Sequence, residues 1–264
     1  RAVEDAVLWA LRRTQAGVAV SADDAYEGGA RPYLIRAWTD SRRKRYLDHP
    51  KKFICLREHY YQSWPAGRED EVMDAVKQQC RVCIANFMQT VLPRLAGVSP
   101  ADEVRVAVIG SGGDPESFQL DGIKVYAIPD YVYRKGDRLQ IHDWKSGKVK
   151  TSHEAQLTLY GLWAREKHGV PPDRVDIWIE YLATGEVKPL TITEADLDDV
   201  RARIAASVAE MADYLVDGDL ARNEPLPQED WDLTLDFRSC RQCNFLELCR
   251  QDPAYPQTPP PDPA

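Results

Sequence analysis

From Ile123 to Lys145 the chain alternates apolar and polar residues on both sides of a Lys135-Gly136-Asp137 turn, and this pattern predicts a β-hairpin. On the first arm, Ile123-Lys124-Val125-Tyr126-Ala127-Ile128 leads through Pro129 to Asp130 and Tyr131-Val132-Tyr133. On the second, Leu139-Gln140-Ile141 runs into Asp143-Trp144-Lys145. Twelve residues separate Asp130 from Asp143, so the hairpin sets two carboxylates on adjacent strands. Asp143 and Lys145 are two apart and share one strand face. By spacing alone, an Asp-x-Lys pair on a solvated strand is usually an ordinary surface pair.

The chemistry of these three residues also fits metal-assisted phosphodiester hydrolysis. A hard cation such as Mg2+ prefers oxygen ligands, keeps several waters and is held by one or two carboxylates plus substrate phosphate. Asp130 and Asp143 are of that type, and Lys145 can orient a nucleophile or neutralise charge developing on phosphate. After a Ser146-Gly147-Lys148 turn, a helix is expected from about Ser152 to Lys167, with Ala155, Leu159 and Leu162 apolar. Gln156 and Tyr160 are four apart and lie on one face of it. A polar helix face carrying a half-buried aromatic is the plainer reading of that pair.

A second cluster lies near the other end: Cys240-Arg241-Gln242-Cys243 and Cys249 form C-x2-C-x5-C within ten residues. Grouped thiolates select zinc or an iron-sulfur centre. A disulfide framework fits less well, because six cysteines in 264 residues are sparse and no signal-peptide apolar region is visible.

In this order, Pro129-Asp130, Asp143-Trp144-Lys145 and Gln156-x3-Tyr160 resemble the RecB-like branch of the PD-(D/E)xK nucleases. Phe118-Gln119-Leu120-Asp121-Gly122-Ile123 looks like that family's strand entering the site. The resemblance covers roughly residues 45 to 250. It implies an α/β fold, with a restriction-endonuclease-like mixed sheet flanked by helices, an N-terminal helical segment and a C-terminal cysteine cluster. It also implies that Asp130 and Asp143 bind Mg2+ or Mn2+, that Lys145 is catalytic, and that Gln156 and Tyr160 serve the site or DNA contacts.

The cysteine spacing is similar to that of a RecB-like subset, including AddB-type helicase-nuclease subunits and CRISPR-associated RecB-like exonucleases. These carry a [4Fe-4S] cluster whose fourth ligand comes from far upstream. The resemblance therefore implies Cys240, Cys243 and Cys249 as ligands, with Cys55 in the basic and aromatic segment as the fourth. Many relatives place the upstream cysteine directly before Pro, two basic residues and an aromatic. Here that pattern reads His49-Pro50-Lys51-Lys52-Phe53, so His49 is an alternative. Cys80 and Cys83 are others, although helical cysteine is often a small buried hydrophobe. A cluster in a hydrolase would be structural, since hydrolysis transfers no net electrons.

The family often draws one more ligand from an early helix that usually reads Gly-x3-His. The nearest match is Gly67-Arg68-Glu69-Asp70-Glu71, with Glu71 at the His position and oxygen ligation still available. Acidic residues opening a helix are equally explained by its dipole. His59, between Glu58 and Tyr60, is the competing candidate.

The chain carries a net charge of −8, which argues against broad coating of nucleic acid. Residues 31 to 57 run against this balance, with nine Lys or Arg and two Asp. Arg42, Arg43, Lys44, Arg45, Lys51 and Lys52, interleaved with Trp38, Tyr46 and Phe53, form a candidate DNA-binding segment. A solvated basic helix face is the alternative. No stretch approaches the roughly 18 apolar residues of a membrane span, so a cytoplasmic protein without membrane contact is expected. The chain begins without Met, as a piece of a longer protein would.

The expected organisation is an N-terminal helical, basic segment over 1–66, a nuclease core over 67–222, a cysteine-cluster region over 223–251 and a Pro-rich tail over 252–264. In detail, helices are expected over 1–20, 36–64, 69–95, 152–167 and 194–215, with a Gly-containing connector over 21–35. Strands are expected over 103–109, 175–181 and 187–192 besides the hairpin. Gly110-Ser111-Gly112-Gly113 lacks the Lys-Ser/Thr ending of a phosphate loop and reads as a turn. The expected activity is that of a metal-dependent deoxyribonuclease acting as an exonuclease or on ends or single strands. DNA is the expected partner, with a helicase or a CRISPR or repair complex alongside. Two other classes stay open: a DNA-binding or scaffolding subunit of a helicase-nuclease or integrase complex, and a zinc-ribbon adaptor.

Overall fold

The computed structural model describes residues 1–49, 52–56, 59, 69–107, 113–150, 152–231 and 249. The chain divides into two compact units, Arg1–Arg201 and Ala202–Ala264.

The first unit opens with helix α1 (Ala2–Gln15), which buries Ala2, Val3, Ala6, Val7, Ala10 and Leu11, a stripe at helical spacing. The connector expected over 21–35 is instead helical. Ser21 caps α2 (Ala22–Ala25): its hydroxyl accepts from the Asp24 N–H at 3.1 Å while the Asp24 carboxylate accepts from the Ser21 N–H at 2.9 Å. A π-helical turn, Tyr26–Ala30, leads directly into α3 (Arg31–Arg42). The glycines that point to a connector in the sequence instead serve close packing against α1. A Cβ on Gly29 would lie 2.3 Å from the Ala6 Cα, and one on Gly28 would lie 2.6 Å from the Trp9 ring.

The single helix expected from 36 breaks at Lys44, whose φ of 54° is left-handed, and a short α4 (Arg45–Asp48) follows. The rest of that expected helix lies largely outside the described residues. Helix α5 (Glu69–Asn86) continues through a π-helical turn, Phe87–Val91, into α6 (Leu92–Leu95). Pro93 follows closely on this π-helical turn and has no N–H to donate back into it.

Strands β1 (Ser117–Leu120) and β2 (Ile123–Tyr126) form an antiparallel pair. The main sheet has the order β3 (Tyr131–Lys135), β4 (Arg138–Lys145), β5 (Val175–Tyr181), β6 (Glu186–Leu190). The β3/β4 hairpin forms as the alternation predicts, turning through Gly136 at φ 63°. The strand expected over 103–109 is not formed over 104–107. Only Glu103 bridges, to Tyr133, and two backbone hydrogen bonds join Val104 to Val132 and Arg134 to Asp102.

Strands β4 and β5 are parallel, so the chain crosses over between them through α7 (Ser152–His168). Residues 139–144 of β4 are buried, because both sheet faces are covered. On one face Tyr160 of α7 reaches Asp143. On the other Trp144 packs edge-on against Phe87 within the core that α1 and α5 supply. Helix α8 (Glu194–Ala212) follows β6. In the second unit, the segment after α8 folds back on itself: Leu215 bridges Pro225 and Tyr214 stacks on Trp231.

The result is a restriction-endonuclease-like α/β fold, with a four-stranded mixed sheet and an antiparallel pair flanked by helices. Among the described residues no helix is long and apolar enough to cross a membrane.

Candidate active site

The hairpin and the crossover helix bring five of the sequence-predicted residues together. Asp143 and Lys145 project from β4 toward α7, and the Lys145 Nζ lies 2.7 Å from Asp143 Oδ2. The same Nζ donates to Gln156 Oε1 at 2.7 Å. Gln156 Nε2 donates to the Tyr160 hydroxyl at 2.8 Å, and that hydroxyl lies 3.3 Å from Asp143 Oδ1 and 3.1 Å from the Ile128 carbonyl. The polar contacts therefore close a ring, Asp143 to Lys145 to Gln156 to Tyr160 and back to Asp143. The i, i+4 spacing of Gln156 and Tyr160 on a helix laid against β4 is what makes the ring possible.

Asp130 precedes β3 and is tied to the other strand of the hairpin: its Oδ2 accepts from the Trp144 N–H at 2.6 Å. Burial raises the Asp130 carboxyl well above the usual carboxylate range, and the neighbouring Asp143 pushes it further the same way. Glu4 on α1 adds to that push, while the Trp144 N–H and Lys145 oppose it. Tyr160 is raised chiefly by burial and then by Asp143 and Asp130, so its phenol stays protonated and able to donate.

Two carboxylates thus face one ammonium in a site largely shielded from water. Asp143 Oδ2 touches Lys145 yet receives no well-directed hydrogen bond. Hard oxygen donors, mutual repulsion and an acceptor atom short of a hydrogen bond are what a divalent cation would satisfy, so the residues fit one.

The other predicted ligands are placed differently. Among the described residues no three His, Cys, Asp or Glu side chains gather as a metal-binding group. Glu71 lies exposed on the first turn of α5. His59 Nδ1 lies 2.9 Å from the Ser41 hydroxyl, and its ring meets Trp38 edge-on at 4.5 Å. Cys80 and Cys83 are buried in the helical core, and burial pushes both thiols up. Cys55 and Cys249 are half-buried and His49 is exposed. Cys240 and Cys243 lie outside the described residues, as does Lys51.

In the basic segment, Arg42, Arg43, Lys44 and Lys52 are exposed. Arg45 is engaged locally, with a 2.7 Å ion pair to Asp40 and its guanidinium 3.8 Å from the Phe53 ring centre.

Two residues near the site, Glu4 and His153, are not among those expected from the sequence. Nothing local marks Glu4, which arrives from α1 through tertiary packing. His153 had a signal, because it stands three residues before Gln156 on the same helix face.

Paired acidic residues on a hairpin, a lysine two residues on and a crossover helix closing over them are the arrangement expected of a nuclease-type phosphodiesterase. The family-wide sequence model of the PD-(D/E)XK nuclease superfamily matches residues 33–250, and the chain belongs to that superfamily. No curated protein matches the chain.

Proposed function

We propose that the chain is a Mg2+- or Mn2+-dependent deoxyribonuclease of the RecB-like branch, acting on ends or single strands. The observation that carries this reading is the closed ring of Asp143, Lys145, Gln156 and Tyr160 beside the buried Asp130. Asp130 and Asp143 would hold the divalent cation, with Glu71 or His59 as a further ligand. When bound, such an ion polarises the phosphate and acidifies a water. Lys145 presents its amine beside the reacting phosphate, and Gln156 fixes the direction of that amine by accepting its hydrogen bond. Tyr160 orients Asp143 by donating to Oδ1. Arg42, Arg43, Lys44, Arg45, Lys51 and Lys52 would grip the strand's backbone.

A [4Fe-4S] cluster on Cys240, Cys243, Cys249 and Cys55, with His49 or Cys83 as alternatives to Cys55, belongs to the same proposal. Its support is the C-x2-C-x5-C spacing and superfamily membership. The cluster would be structural and leave the chemistry to the nuclease core over 67–222. A helicase or repair-complex subunit would be the working partner.

The test is cleavage of end-labelled single- and double-stranded DNA with Mg2+ or Mn2+. Lys145→Ala should lower the rate on the order of 10²- to 10³-fold while leaving the folded protein intact. Full activity in that variant would refute the reading. A protein that binds DNA without cutting it would support a scaffolding role instead. For the cluster, anaerobically purified protein should show a broad absorption at the blue edge of the visible and contain stoichiometric iron. Colourless protein with stoichiometric zinc would refute it.

A further inference from the structure

His153 sits on the first turn of α7, three residues before Gln156 and seven before Tyr160, so the three share the helix face turned to β4. Its Nδ1 lies 3.4 Å from the Tyr181 hydroxyl, and the two rings are 5.7 Å apart at 32°. Tyr181 is the β5 residue paired with Lys145 in the parallel β4/β5 ladder, so strand register sets it beside the amine. Two independent features, helix spacing and strand register, therefore converge on one flank of Lys145.

The surroundings decide which form of the imidazole is present. Burial, followed by the positive charge of Lys145, lowers the His153 pKa; Lys150 adds to this and Asp143 opposes it. The ring is therefore neutral at neutral pH. Tyr181 is raised chiefly by burial and keeps its phenolic proton. When the phenol donates to Nδ1, the ring proton sits on Nε2 and makes that nitrogen a neutral donor.

We propose that His153, with its tautomer set by Tyr181, is a substrate-contacting residue that donates from Nε2 to a phosphate oxygen of the bound strand beside Lys145. The inference rests on the nuclease reading above. A neutral donor suits this position, because it adds a hydrogen bond to phosphate without placing a second fixed positive charge next to Lys145 and the cation site. His153 is only half-buried, so part of the ring is open to a ligand.

The experiment compares the unaltered protein with His153→Ala, His153→Gln, Tyr181→Phe and Lys145→Ala. The substrates are single-stranded oligonucleotides carrying one neutral methylphosphonate at successive positions. Binding is read by fluorescence anisotropy in Ca2+ and cleavage in Mg2+. His153→Ala should weaken binding and kcat/KM roughly 10- to 100-fold. His153→Gln, which keeps an N–H donor, should recover part of the loss, and Tyr181→Phe should show a smaller loss of the same kind. One methylphosphonate position should weaken the unaltered protein but cost His153→Ala nothing more. A merely structural role would lower Tm without creating that position.

The proposal is overturned if His153→Ala binds and cuts like the unaltered protein, or if every methylphosphonate penalises both proteins equally. If Lys145→Ala is inactive while His153→Ala behaves as unaltered, only the His153 assignment falls. If Lys145→Ala cuts normally, the nuclease reading falls and takes this inference with it.

Discussion

Strand β4 carries buried polar groups on both faces, and the two faces solve the resulting electrostatic problem in opposite ways. On the face turned away from α7, Glu180 of β5 is fully buried, and its Oε1 meets His142 Nδ1 at 2.6 Å and Arg94 at 3.0 Å. His142 is stacked between Tyr133 and Trp178, and the Arg94 guanidinium lies 5.5 Å from the Trp178 ring centre. One carboxylate there answers to two nitrogen groups. On the α7 face two carboxylates, Asp130 and Asp143, answer to one ammonium. Buried polarity alone therefore does not single out the proposed reacting centre. The excess of negative charge on the α7 face does.

The contrast is broken most sharply by neutralising one carboxylate on each side. Asp143→Asn should lower DNA cleavage on the order of 10³-fold while thermal unfolding shows a folded protein. Glu180→Ala should act on stability instead, costing about 3 kcal/mol by denaturant titration because it strips a buried histidine and an arginine of their shared partner. That value is the low end of the usual range, since Arg94 is 35% exposed and can recruit water. Comparable activity losses in the two variants, each still folded, would erase the distinction between the faces.

A smaller effect is expected within the ring itself. Tyr160→Phe removes the donor to Asp143 Oδ1 and should lower kcat about tenfold with little change in KM. A change confined to KM would move Tyr160 from orienting Asp143 to binding substrate.

The smallest effect lies in the pH dependence of metal-free stability. Asp130 holds its proton more tightly when folded than when unfolded, so its contribution is favourable at low pH and lost as pH rises through its raised folded pKa. In EDTA, stability should therefore drift downward from the ordinary carboxylate range toward neutrality. Asp130→Asn should flatten the drift. An unchanged slope in Asp130→Asn would show that the burden rests elsewhere.

The same comparison explains what the sequence made legible. The face turned to α7 follows short-range rules: strand alternation puts Asp143 and Lys145 on one side of β4, and the i, i+4 rule puts Gln156 and Tyr160 on one side of α7. His153 obeys the i, i+3 form of that rule and was readable for the same reason. The His142, Glu180 and Arg94 cluster draws on β4, β5 and α6, and no local pattern joins residues 48 and 38 positions apart. Glu4 was hidden for the same cause, reaching Asp130 only through the packing of α1. The 21–35 segment reads as a connector because it contains Gly28 and Gly29, whereas close approach to α1 is what excludes a side chain there.

The central claim, that Asp130 and Asp143 form a cation centre because their charge is left uncompensated, is tested most directly by Mn2+ binding under calorimetric titration in the absence of DNA. The unaltered protein and a conservative Glu180→Gln variant should bind Mn2+ alike, and Asp143→Asn should lose that binding. Undiminished Mn2+ binding by Asp143→Asn would contradict the account.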